Sequence, residues 1–185
     1  MEVIDIFQMI KIPATVVHVI AVVLAMGAAL TSDILFSFFA KDKDLNPTEI
    51  STLSILSKIV LGGLVIVGLS GAVLFLSDIE KYSHSAKFLA KMSILAVLLI
   101  NGYVLNKYIW PHLLKKDFFV AESERNARRI AFACGAVSVI SWLSICTLGV
   151  LDRLPISYTV IMSMYLAVII FGIFVALVIE KRELN

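Results

Sequence analysis

The sequence predicts an all-α, polytopic membrane bundle of five transmembrane helices, and three observations carry that prediction. Hydrophobic residues make up 60% of the 185-residue chain and mean hydropathy is +0.97, whereas a soluble domain is closer to half apolar. The excess is gathered in five runs longer than the ~18 apolar residues that suggest a span. The four prolines punctuate those runs at their ends, where a missing N–H costs least.

The first span is expected at about 12–39, with Pro13 at its start and Ala21, Ala25, Ala28 and Ala29 within it. The second, at about 49–77, follows Pro47 and holds Gly62, Gly63, Gly68, Ser70, Gly71 and Ala72, with Gly68 and Ala72 four apart on one face. Lipid is as apolar as leucine, so helices associate where small residues let backbones approach. The third span, about 86–110, is closed by Pro111. Lys87, Lys91, Leu95, Leu98 and Gly102 share one of its faces, and Asn101, Tyr103 and Asn106 flank that stripe, so the helix should face the interior. The fourth, about 127–150, carries Ala127, Ala131 and Gly135 at spacing four, then Ser138 and Ser141. The fifth, about 156–180, follows Pro155 and is bulky around Gly172, which suits a peripheral, lipid-facing helix outside a four-helix core. Tyr82, Tyr108, Trp110 and Tyr158 lie near span ends, as an interfacial aromatic belt requires.

The whole chain, 1–185, reads as a single transmembrane domain, because no segment between spans is long enough to build a core of its own. Five spans put the termini on opposite faces. Face A, that of the N-terminus, collects Lys11, Lys81, Lys87, Lys91 and Arg153; the other eleven basic residues fall on face B. Face B is therefore expected to be cytoplasmic and the N-terminus outside, in a bacterial inner membrane. The connection 111–126 carries mixed charge and Ser123-Glu124, which predicts helical extensions into the cytoplasm. The Met-Glu-Val-Ile-Asp start is not basic and the run after it is too long for a cleaved signal peptide.

Several function classes drop out. A net charge of +2 gives no reason to expect a nucleic-acid partner; the lipid bilayer is the expected one, and a homo-oligomer is compatible with the pattern. Cys134 and Cys146, twelve residues apart on one helix, are ~18 Å apart and too far for a disulfide. No HExxH, P-loop, GxGxxG or Ser/His/Asp arrangement appears.

The polar residues inside the spans remain. His18 lies about 9 Å below face A in the first span, and Lys91 lies at comparable depth in the third. Topology allows the two to meet, with His84 on the same side nearer water. Towards face B, Asp33 of the first span and Lys58 of the second could form a structural ion pair. Fifteen residues separate His18 from Asp33, so one helical face serves both clusters. A histidine in a span is a candidate metal or haem ligand and proton-transfer group, though hydrogen-bonded structural histidine is nearly as common an expectation.

Part of this pattern resembles a known family. The H-x3-V-x4-G first helix beginning at His18, a second helix ending G-L-S-G-A-V-L-F-L, and K-x2-L-A-K-M-S-I-L-A-V-L-L-I in the third are similar to the HemJ and CopD group of small bacterial membrane proteins. The match is loose and covers about residues 12–110. HemJ-type proteins are haem-b-binding protoporphyrinogen oxidases in which a first-helix histidine and a third-helix lysine matter; His18 and Lys91 are the matching positions. The resemblance thus implies a haem-b-associated membrane oxidoreductase with His18 and Lys91 as catalytic and cofactor-binding residues, His84 as a further cofactor-binding position, His18 as the metal ligand, and a membrane electron donor or acceptor. Departures stand beside it: the Trp and Leu-Pro-Arg that follow the family's histidine, and its Tyr-His pair after the lysine, are missing here, and a fifth helix is added. CopD-type proteins are linked to copper handling, so ion or copper transport is the alternative; Cu(I) prefers soft ligands, and the chain has no M-x-x-M within a span. A scaffold or assembly factor without chemistry is the third reading.

Overall fold

The structure is a computed structural model that describes residues 7–151 and 155–184; the Met1–Asp5 stretch and Arg153 lie outside the described residues. Among the described residues there is no strand, and five helices are long and apolar enough to cross a membrane. The protein is accordingly an integral, multi-pass membrane protein by its helices. In chain order these are α1 (Lys11–Phe39), α2 (Pro47–Leu76), the short α3 (Ile79–Ser83), α4 (Ala86–Val104) extended through a π turn at Leu105–Ile109 into α5 (Trp110–Leu113), α6 (Arg125–Val150) and α7 (Tyr158–Leu184).

Local chemistry explains the ends. Asn46 starts α2 with a full capping box: its side chain accepts from the Glu49 N–H, and Glu49 reaches back to the Asn46 N–H, with Pro47 in the first turn. Ser85 caps α4 by accepting from Phe88 N–H. Pro111 does not close the third span as expected. The helix widens to i→i+5 bonding ahead of it, with Trp110 N–H donating to the Leu105 carbonyl, and then runs on to Leu113. A π turn accommodates the proline without ending the helix.

α6 is the hub. It packs on α7, α4 and α1, and it carries the most buried span, while α2 lies chiefly along α1. The α1–α2 seam sets Ala21 and Ala25 against Gly63; a Cβ added at Gly63 would lie 2.7 Å from the Ala25 Cβ. Gly68 and Ala72, expected on a packing face, instead face outwards, and nothing lies within 4 Å of a Cβ placed at Gly68. The α6 stripe is used as read: Ala127, Ala131, Ser138 and Ser141 are buried. α7 keeps a broad apolar surface outwards and buries Ile161, Tyr165 and Ile169 in a cluster with Ala90, Ile94 and Leu148. Tyr165 shares a hydrogen bond of 2.8 Å with Ser141.

The connection 111–126 is a folded cap rather than a projecting extension. Phe118 and Phe119 turn back into the bundle and pack with Phe36. The buried Arg128 guanidinium donates to the Phe118 carbonyl at 2.9 Å and the Ala121 carbonyl at 2.7 Å. Buried Glu124 accepts from Lys115 at 2.6 Å and faces the His112 ring nitrogen at 2.5 Å, so His112 is held inside the cap rather than at a bare interface. These contacts pair most of the cap's buried polar atoms, with Arg128 Nε left without a partner.

A bilayer-open cavity around Asp33

Following α1 along one face, Ala25, Ala29, Asp33 and Phe36 recur at helical spacing, and this row turns towards α6. The carboxylate of Asp33 reaches the small stretch of α6: its Oδ1 is 3.6 Å from where a Cβ on Gly135 would stand, and the Ser138 hydroxyl faces it. Its second oxygen, Oδ2, is buried and makes no hydrogen bond. Almost every buried polar atom in a protein is paired, so an orphan of this kind needs a reason.

Beside it lies a cavity of about 540 Å³, lined in part by Asp33 and bounded by α1, α2, α4 with its π extension, and α6. Ser32, Asp33, Ser57, Asn101, Asn106 and Ser138 supply its polar atoms; Leu53, Val60, Leu64, Leu98, Trp110 and Trp142 supply much of its apolar wall. Each of the two asparagines spends one of its two amide N–H groups on a backbone carbonyl. Asn101 donates to the Cys134 carbonyl at 3.1 Å and Asn106 donates to the Gly102 carbonyl at 2.9 Å, leaving their oxygens on the acceptor side. The expected stripe on α4 is thereby turned: Ala90, Ile94, Leu98 and Asn101 are buried, while Tyr103 points outwards at 67% exposure.

The cavity has an opening. α2 and α4 meet at their ends, through the Phe75–Phe88 stack near face A and the Ser57–Asn106 hydrogen bond towards face B, but do not pack closely along their middles. Leu61 and Leu99, both near mid-span and both lining the cavity, are exposed there. In a bilayer that surface faces acyl chains.

The other predicted site residues sit elsewhere. Lys58 is exposed and forms no ion pair with Asp33, so the expected Asp33–Lys58 bridge is corrected: Asp33 turns to α6, whereas Lys58 sits on an outward face of α2. Half-buried His18 turns to α2, where Nδ1 lies 3.0 Å from the Ser70 hydroxyl and the ring lies over Gly71. Ser70 spends its proton on the Ile66 carbonyl at 2.6 Å, so towards His18 it accepts. The Val67 carbonyl is a further acceptor for the ring. Lys91 lies within electrostatic range of His18, as topology allowed. His84 is exposed at the end of α3, where its Nδ1 bonds the neighbouring Ser83 hydroxyl and Glu80 carbonyl. Lys87 donates to the Leu151 carbonyl, tying α4 to the end of α6.

Among the described residues no group of three or more His, Cys, Asp or Glu side chains gathers to hold a metal ion. The free cysteines stay apart in role, with Cys134 buried behind Asn101 and Cys146 half-buried. Ser138, Asn101 and Trp142 were visible as small, flanking or apolar residues, but only the packing of four helices shows that they enclose one space. No protein-family model, curated protein or solved structure matches the chain.

Proposed function

We propose that this protein admits a lipid-soluble molecule from the bilayer into the cavity between α2 and α4 and holds it by the Asp33 carboxyl. The observation that carries this reading is the ionisable Asp33, with no basic residue beside it in the lining, in a cavity whose mid-span wall is exposed. Ionisable groups inside a span cost several kcal/mol and are by default functional. Pockets of this kind, largely apolar with a few convergent polar atoms, are ordinary small-molecule sites. Such a protein would work as a membrane binding or transport protein, in the bacterial inner membrane with face B cytoplasmic. The test is recovery of small molecules from the purified protein by native mass spectrometry. A hydrophobic adduct is expected on the wild type and absent from Gly102→Phe, since Gly102 lines the cavity with nothing within 4 Å of its Cβ position. Equal adducts on both proteins, or none on either, would contradict the reading.

A second reading has one observation in its favour. The His18 ring resembles a metal-ligating imidazole in having Nδ1 held by a neighbouring side-chain oxygen. We propose that, as the HemJ likeness implies, haem b would be held by His18 Nε2 with Lys91 available to a propionate; the donor set provides one imidazole and one amine. When bound, haem would supply one-electron chemistry with a membrane donor or acceptor. The CopD-like alternative of copper handling draws nothing from the packing of the described cysteines. A Soret band that disappears in His18→Ala is the expected result for haem, and a flat visible spectrum after haem reconstitution would sink that reading. The two proposals place their ligands in different parts of the bundle, so neither test decides the other.

A further inference from the structure

The cavity reading leaves the chemistry of the ligand open, and the charges and donors around the cavity narrow it. We propose that the ligand is a lipophilic monocation, an apolar body carrying one ammonium-type head, which seats that head against Asp33. This rests on the cavity holding a bilayer-derived molecule at all. The lining contains one carboxylate and no lysine, arginine or histidine. An anionic head would therefore meet Asp33 without any basic side chain to balance it, whereas a cation neutralises a charge that is otherwise costly inside the membrane.

The hydrogen-bond inventory agrees with the charge. The Asn101 and Asn106 amides donate to backbone carbonyls, and the Ser57 hydroxyl donates to the Asn106 oxygen at 3.2 Å. An alkylammonium head brings three donors to the Asp33 carboxylate and to the asparagine and serine oxygens of the lining. Phe36, Trp110 and Trp142 add aromatic lining on which a cation can rest. The body of the molecule would lie among the leucines towards the α2–α4 opening, with its chain continuous with the bilayer. Lys58, the nearest basic residue the sequence offered as a partner, is exposed and unbridged to Asp33, so the chain does not supply its own counter-cation.

Both tryptophans of the chain line this cavity, which makes intrinsic fluorescence a local reporter. The probe pair is a nitroxide-labelled long-chain amine and the matching nitroxide-labelled long-chain acid, added to the full-length protein in neutral detergent. The amine is expected to quench saturably and at least about tenfold more tightly than the acid. Asp33→Asn, which keeps shape and removes charge, should bring the amine to the level of the acid, with unchanged helical circular dichroism and elution volume. Gly102→Phe should abolish saturable quenching by both probes, and it keeps the proposal falsifiable if Asp33→Asn fails to fold. Equal affinity for amine and acid in the wild type, both lost in Gly102→Phe, would overturn the cation proposal while leaving the cavity reading standing. Tighter binding of the acid would overturn it outright. Quenching that is unsaturable with both probes, and unchanged in Gly102→Phe, would overturn both.

Discussion

Two buried ionisable residues show how the bundle uses charge at the scale of a side chain. Arg128 is 6% exposed, and its guanidinium is spent on the carbonyls of Phe118 and Ala121, which pins the 111–126 connection down over the core. Removing it leaves the buried Phe118 carbonyl without a donor and the Ala121 carbonyl with only the Glu124 N–H. Arg128→Ala should therefore cost about 3 kcal/mol in detergent unfolding and open the connection to proteolysis at Lys115 and Lys116. Arg128→Lys should recover only part, because both bonds come from Nη1 and a lysine ammonium stops one bond short of that position. A wild-type unfolding curve and cleavage pattern for Arg128→Ala would refute this role. Asp33 Oδ2, like Arg128 Nε, is buried without a hydrogen-bond partner, but Asp33 also lines the cavity. Of the two, the sequence showed the anomaly of Asp33 clearly, because aspartate stands out in an apolar run. Arg128 looked like one more positive-inside charge, since nothing in a linear pattern says that a loop folds back. The Asp33–Lys58 pairing failed for a related reason: proximity to the same face fixes depth, but not which neighbour a helix turns towards.

At the scale of the helix, small residues decide who packs on whom, and only some of them do so. Gly63 is where α1 and α2 touch: a Cβ there would be 2.7 Å from the Ala25 Cβ and 3.3 Å from its Cα. Gly63→Val should push α1 from α2, at a cost of about 2 kcal/mol through overpacking. The same change at outward-facing Gly68 meets nothing within 4 Å and should stay within about 0.5 kcal/mol of wild type. Thermal unfolding of the two variants side by side is the check, and equal effects would refute the assigned α1–α2 seam. The five spans themselves were legible to within a few residues, because hydropathy and proline placement carry that information locally. The choice of Gly63 over the Gly68–Ala72 pair was not legible. Both series satisfy the spacing rule, and only the partner helix distinguishes them.

Across the whole molecule, the α6 hub draws α1, α4 and α7 together while α2 stays attached mainly through α1. That arrangement leaves α2 and α4 joined at their ends and parted in their middles, with the acceptor-rich space around Asp33 behind the gap. None of it could be read from the chain, since a gap belongs to two helices that are not neighbours in the packing order. The account depends on the gap opening to lipid. In a Trp110→Phe background only Trp142 fluoresces, and Trp142 is 2% exposed. Reconstituted in lipids brominated near mid-chain, this variant should be quenched strongly, and the quenching should fall sharply when Gly102→Phe fills the cavity. Unquenched Trp142 emission in brominated lipid, or quenching indifferent to Gly102→Phe, would contradict a cavity open to the bilayer.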